Sequence, residues 1–238
     1  MNTTKDKKRG ERIIVALDFA EVKAAEGLVR NLKGIVSFFK VGLELFTSTG
    51  PDAVKMVIDN NAKVFLDLKF HDIPNTVAGA VSSASNLSVS MINVHATGGV
   101  EMMRAAAGAA SKSKNRPIML AVTILTSLDE EGFRQIGFSG SIGDSVVNLA
   151  RSAVNAGLDG VVCSPDEIRP VRDALGGDFL IVTPGVRPTW SLKDDQKRVM
   201  TPKDALDAGA DYIVIGRPIT ADKDPRRAAE RIIEEVDE

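Results

Sequence analysis

The chain has 238 residues, 44% of them hydrophobic, and a formal net charge of −2. That length supplies one sizeable core without demanding two domains, and the charge balance leaves no basic excess for nucleic acid and no charged run to serve as a tail. The only cysteine, Cys163, excludes an intrachain disulfide and any cysteine-based metal cluster.

Residues 1–10 are polar and lysine-rich with no apolar segment behind them, so they read as a short extension to a single domain over 1–238, not as a secretory signal. No apolar run reaches membrane-spanning length, and a soluble cytoplasmic protein with no membrane partner is expected. Residues 12–17 form a short apolar strand closed by Asp18, and the three- and four-residue spacing over 20–32 predicts a helix. A second strand, 36–41, carries Lys40 inside it, with Gly42 after. A helix over 51–60 begins at a proline suited to a first turn. The third strand starts at Lys63 and runs into Asp67-Leu-Lys69-Phe-His71-Asp72-Ile-Pro74-Asn75-Thr76, and a helix over 74–86 follows.

A fourth strand over 89–94 ends at His95-Ala-Thr-Gly-Gly99, before an alanine-rich helix over 100–111. The fifth strand, 118–125, ends at Thr126-Ser127. A glycine-rich connection with Phe133 and Phe138 leads to a helix over 141–155. The sixth strand spans 158–163, and the helix after it, 165–175, is expected to break near Pro170. The seventh strand spans 179–183. A helix over 202–208, an eighth strand over 211–215 and a last helix over 225–236 complete the chain. Strands and helices alternate with no hairpin signal, which means parallel strands joined by crossover helices. Eight such units predict an α/β fold of the (β/α)8 TIM-barrel kind. The alternative, an open doubly wound sheet, lacks the glycine-rich turn of a dinucleotide binder after its first strand, where Asp18-Phe-Ala-Glu stands.

Barrels carry their chemistry at the C-terminal ends of the strands. There the sequence sets Asp18, Lys40, Asp67, Lys69 and Asp72, then His95, then Thr126 or Ser127. Asp67 and Lys69 are two residues apart, so an extended backbone points both to one face. Burying opposite charges in an apolar strand is costly, and is tolerated most where they do chemistry. A lysine among carboxylates is held charged, which suits a proton donor or an electrostatic clamp and not a Schiff-base nucleophile. The acids could hold magnesium, but Lys40 and Lys69 add positive charge at the same place. Taken alone, Asp72 also fits a helix-start acid and Asn75 a turn residue. His71 and His95 read as rim or supporting groups, Cys163 as a small core residue, and Met102, Met103 and Phe138 as packing.

The loops after the last two full strands are Thr183-Pro-Gly185-Val-Arg187-Pro and Gly216-Arg217-Pro-Ile, the place where barrels grip phosphate. Glycine opens backbone N–H groups to a ligand, and arginine offers a fork matched to phosphate oxygens. Residues 190–200, with Asp194-Asp195-Gln196-Lys197-Arg198, read as a lid or as plain surface.

Together, Asp18, Lys40, the run from Asp67 to Thr76, Thr183 to Arg187, Asp195-Gln196-x-Arg198 and Gly216-Arg217-Pro-Ile resemble the orotidine 5'-monophosphate decarboxylases in their bacterial form. The resemblance spans nearly the whole chain. It implies that Lys69 protonates C6 of the pyrimidine while Asp67 crowds the leaving carboxylate. Lys40 then holds the ribose and the acid network, and Asp18 binds a ribose hydroxyl. Thr126 and Ser127 correspond to the pyrimidine-contacting strand end. Arg187, Gln196, Arg217 and the backbone at Gly216 hold the phosphate. Asp72 and Thr76 cross a homodimer interface into the neighbouring site, and no metal or cofactor is expected. Three rivals stand beside this reading: a metal-dependent sugar-phosphate decarboxylase or epimerase, a nucleotide-binding barrel without turnover, and a structural protein. The last has no use for charged strand ends, and a pure binder has none for a proton donor.

Overall fold

The protein, seen in a computed structural model, is described over residues 9–191 and 200–237. Eight strands close into a barrel: β1 Ile13–Ala16, β2 Phe38–Gly42, β3 Lys63–Phe70, β4 Met91–His95, β5 Ile118–Val122, β6 Gly160–Val162, β7 Leu180–Pro184 and β8 Tyr212–Ile215. Every neighbouring pair is parallel, and β1 pairs with β8 through Ile14↔Val214. That last pairing excludes the open sheet.

The helices are α1 Val22–Asn31, α2 Leu43–Thr49, α3 Asp52–Asp59, α4 Pro74–Ser85, α5 Val100–Ser111, α6 Glu130–Gln135, α7 Ile142–Asn155, α8 Ile168–Leu175, α9 Pro202–Asp207, α10 Arg217–Thr220 and α11 Pro225–Asp237. None among the described residues is long and apolar enough to cross a membrane.

Alternation along the strands divides the apolar residues into two cores. Ile14, Phe38, Phe65, Met91, Leu120, Val182 and Tyr212 pack together inside the barrel. Ile13, Val15, Phe39, Val64, Leu66, Ile92 and Val161 face the other way, against the helices. Lys40 and Asp67 share the parity of Phe38 and Phe65, so both side chains project inward, nearer the C-terminal mouth than the apolar plug.

Four sequence expectations need correction. Helices α2, α6 and α10 occupy stretches read as connections. Each is no longer than seven residues, too short for a 3.6-residue period to register. The break expected near Pro170 is absent. A 3-10 turn over Pro165–Glu167 precedes α8, and Pro170 is its third residue, where a missing N–H costs little. Strand β5 stops at Val122, so Thr126 and Ser127 lie in the following loop, not at the strand end. Finally, Asp72 does not cap α4. The cap position is Ile73, Pro74 opens the helix, and the Asp72 carboxylate accepts the Ile73 N–H, at 2.6 Å, in place of a helix N–H.

Candidate active site

Strand β3 delivers Asp67 to the barrel mouth with 8% of its surface exposed. A carboxylate so placed needs every oxygen satisfied. Lys69 Nζ lies 2.6 Å from Asp67 Oδ1, and Lys40 Nζ lies 3.2 Å from Oδ2. Lys40 Nζ also reaches Asp18 Oδ1, at 3.1 Å. The result is one continuous row, Asp18–Lys40–Asp67–Lys69, drawn from β2, β3 and the segment just after β1. Asp18 forms its solvent end, with a side chain 60% exposed.

Two residues make room for this row. Gly42 pairs with Asp67 across the β2–β3 ladder, and a Cβ there would stand 2.8 Å from Lys40 Nζ. Asn93, on β4 and 1% exposed, donates from Nδ2 to Asp67 Oδ1 at 2.7 Å, and its Oδ1 accepts the Lys69 backbone N–H at 2.8 Å. Lys69 itself is left-handed, with φ 51°, inside a register irregularity between Leu66 and Phe70. Simple alternation therefore gives the right face for Lys69 by a route the sequence does not reveal.

His71 and His95 flank the row, their rings 5.3 Å apart and tilted by 38°. Burial holds the His95 pKa below its ordinary value. His71 and Lys69 push it the same way, and Asp67 opposes them. Cys163 is buried, and loss of solvent raises its thiol pKa far above the usual range, so it is inert packing at the cavity wall. Met102 and Met103 are buried core residues, and Phe138 stacks on Phe133 at 4.8 Å.

A cavity of about 250 Å³ opens at the row and carries Lys40, Asp67 and Lys69 on one wall and Pro184 and Val214 on another. Thr126 also lines it, and Ser127 does not. Pro184 and Val214 belong to β7 and β8; Arg187 lies in the loop after β7, and Arg217 opens the helix that follows β8. Val186 is buried and anchors the first loop, in which Gly185 takes φ 79° and the Arg187 N–H donates to Met200 O at 3.1 Å. Arg217 is exposed at the first residue of α10, directly after Gly216, where an added Cβ would stand 3.7 Å from Asp18 Oδ2. Gln196 falls outside the described residues.

Asp72 and Thr76 stand apart from this cavity. Every residue from His71 to Thr76 is exposed, and among the described residues of the chain Asp72 makes no ion pair. The sequence reading missed Asn93. A usable signal existed: a lone amide in an apolar strand, on the parity of His95. Among the described residues, no group of three or more His, Cys, Asp or Glu is arranged to hold a metal ion. What the site presents is an ammonium group held beside a buried carboxylate, facing an apolar-walled cavity. Such a constellation can donate a proton to carbon while repelling an anionic group next to it.

Comparison with known proteins agrees with that chemistry. The family model for Orotidine 5'-phosphate decarboxylase / HUMPS family matches residues 11–232. The orotidine 5'-phosphate decarboxylase of Moorella thermoacetica is 52% identical over 233 residues, covering 95% of this chain and 92% of the relative. That of Geobacter sulfurreducens is 51% identical over 236 residues, covering 98% of each. Among solved structures, the Lactobacillus acidophilus orotidine 5'-phosphate decarboxylase superposes with a TM-score of 0.85 at 37% identity, covering 96% of this chain and 100% of that one.

Proposed function

This chain belongs to the orotidine 5'-phosphate decarboxylase / HUMPS family, and we propose that within it the chain converts orotidine 5'-phosphate to uridine 5'-phosphate and carbon dioxide, with Lys69 protonating C6. The observation that carries this reading is the Lys69–Asp67 ion pair at the cavity, 2.6 Å long and braced by Lys40. The reaction is a step of pyrimidine nucleotide synthesis, and a cytoplasmic enzyme fits it.

The bond between C6 and the substrate carboxylate breaks with its electron pair left on C6. Carbon dioxide departs, and the Lys69 ammonium passes a proton to that carbon. Lys69, now neutral, recovers a proton from water. Asp67 stands beside the substrate carboxylate, and their repulsion is relieved as the anionic group becomes neutral carbon dioxide. Positive charge fixed at Lys69 is worth most when the carbanion develops, which is the condition for accelerating the step. Lys40 and Asp18 hold the ribose, and of Thr126 and Ser127 it is Thr126, which lines the cavity, that meets the pyrimidine. Arg187, Arg217, the Gly216 backbone and Gln196 take the phosphate, whose remote binding energy is spent on orientation.

The chemistry needs no electron sink beyond the ring and no Lewis acid. Both Asp67 oxygens already face ammonium groups, which disfavours the metal-dependent alternative. We further propose a homodimer in which Asp72 and Thr76 enter the neighbouring site. Its support is the exposed run over 71–76, in which Ile73 leaves 67% of its surface open. An absorbance assay on orotidine 5'-phosphate, with and without chelator, tests the reaction. Turnover unaffected by chelator is expected, falling by at least about 10²- to 10⁴-fold in Lys69→Ala. No turnover by folded protein, or activity that survives loss of the lysine, refutes it.

A further inference from the structure

The β3–β4 ladder pairs Leu66 with Ile92 and next pairs Phe70 with Val94. Four steps along β3 thus face two along β4, and the surplus is absorbed where Lys69 turns left-handed at φ 51°. A side chain with a Cβ avoids that region unless its surroundings hold it there. The turn also takes the Lys69 N–H out of the ladder, and a buried N–H needs a partner. Asn93 provides one, and its other end holds Asp67. The amide works in one orientation only. Reversed, it would set NH2 against an N–H and oxygen against a carboxylate.

We propose that Asn93 is the positioning residue for the proton donor. It locks the left-handed backbone of Lys69 and the rotamer of Asp67 with one amide, so that the ammonium meets C6. This rests on the decarboxylase reading above. A purely structural role needs just an acceptor for the Lys69 N–H. The bond from Nδ2 to Asp67 ties the same side chain to the reacting pair, and the two ends together fix Nζ relative to its carboxylate. Without Asn93, the left-handed turn at Lys69 loses the acceptor that holds its N–H and Asp67 loses the donor that fixes its carboxylate, so neither end of the ion pair is held in place.

The test uses the full chain and two variants. In Asn93→Ala, kcat should fall on the order of 10²-fold, the scale of a misplacement near 1 Å, while KM stays near wild type because the ribose and phosphate contacts are untouched. Asn93→Asp keeps the acceptor but loses the donor, and sets two carboxylates in contact. Its kcat should be low at neutral pH and rise as the pH falls, once the new acid is protonated and can donate to Asp67 again. A group that merely supports the fold would not invert the pH profile in this way. If Asn93→Ala does not fold, the pH profile of Asn93→Asp still discriminates between the two roles. A crystal structure of whichever variant folds gives a readout independent of turnover, with Lys69 expected to leave φ near 51° in Asn93→Ala and Asp67 to turn away in Asn93→Asp. Wild-type kcat in Asn93→Ala, an unchanged pH profile in Asn93→Asp, or an unmoved Lys69–Asp67 pair in the variant crystal overturns the proposal. Absence of turnover in the wild-type chain overturns the reaction instead, and the crystal structures still test Asn93.

Discussion

Gly42→Ala is a substitution that should spare the fold and injure the site. Gly42 sits at φ −97°, ψ −173°, backbone that any residue adopts, so its glycine is not required by the chain path. Replacing glycine where the backbone allows it stabilises by about 0.4–1 kcal/mol through the unfolded state. The new methyl, however, would lie 2.8 Å from Lys40 Nζ and 3.5 Å from Asp18 Oδ1. A comfortable contact is about 3.5 Å, so the ammonium must retreat by roughly 0.7 Å. Its bonds to Asp18 and Asp67, 3.1 and 3.2 Å long, then stretch beyond useful range. The Asp18 pair contributes little, since Asp18 is well solvated. The Asp67 pair is buried, and a charge-assisted bond there is worth about 1.5–3 kcal/mol, or roughly 10- to 150-fold in kcat/KM. The assay pairs thermal unfolding with steady-state kinetics. A melting temperature near wild type with kcat/KM down by that factor is expected. Wild-type kcat/KM would refute the argument, because it would mean Lys40 can give way without cost.

Two further outcomes follow from the same geometry. Because burial depresses the His95 pKa, the folded state binds its proton less well than the unfolded chain does, so the stability tied to neutral His95 is intact above about pH 6.5 and drains away as pH falls through the lower folded value. His71, Lys69 and Asp67 are the charged or titratable groups acting on it. Denaturant unfolding of His95→Gln should therefore lose less stability than wild type between neutral and mildly acidic pH, and parallel curves would refute the assignment. If Asp72 serves the neighbouring site, Asp72→Ala and Lys69→Ala proteins, each inactive, should regain activity on mixing. With one intact site in a mixed dimer and random exchange, about a quarter of wild-type activity is the ceiling. No recovery despite demonstrated subunit exchange counts against a shared site.

Much of this was legible in the chain because period-two alternation is a strong constraint. Lys40 shares parity with Phe38, and Asp67 with Phe65, so once the barrel is assumed both must point inward. The closed topology followed from strand and helix order. Less visible was everything that depends on local departures from regularity. Nothing in Leu68-Lys69-Phe70 announces a left-handed residue, which L-amino acids with side chains seldom adopt. The register shift that frees the Lys69 N–H is a property of two strands at once. Asn93 is uncharged, and its meaning depends on that shift. Helix α6 had a signal in Asp129, whose side chain accepts the Gly132 N–H at 2.8 Å, but six residues give no period to confirm it. Strand count alone set Arg187 in the loop after β7 and Arg217 directly after β8, but it gave no sign that Arg217 opens a short helix.

The charged row also shows why the site is rigid and not merely polar. Two acids and two ammonium groups cancel formally, so the unliganded mouth is not driven open by self-repulsion. Yet its members come from two strands and the segment after a third, and Asn93 adds β4. Moving any one leaves a buried charge short of a partner, a cost larger than the pair itself contributes. The row is therefore a poor source of stability and a good source of position. That distinction bears directly on the reaction. A flexible lysine in water would have to be reoriented as the carbanion forms. One already locked at 2.6 Å from its carboxylate, on backbone held from the next strand, needs little reorganisation at that moment. The energy for holding it there came from burying the apolar plug beneath, and it was committed when the barrel closed.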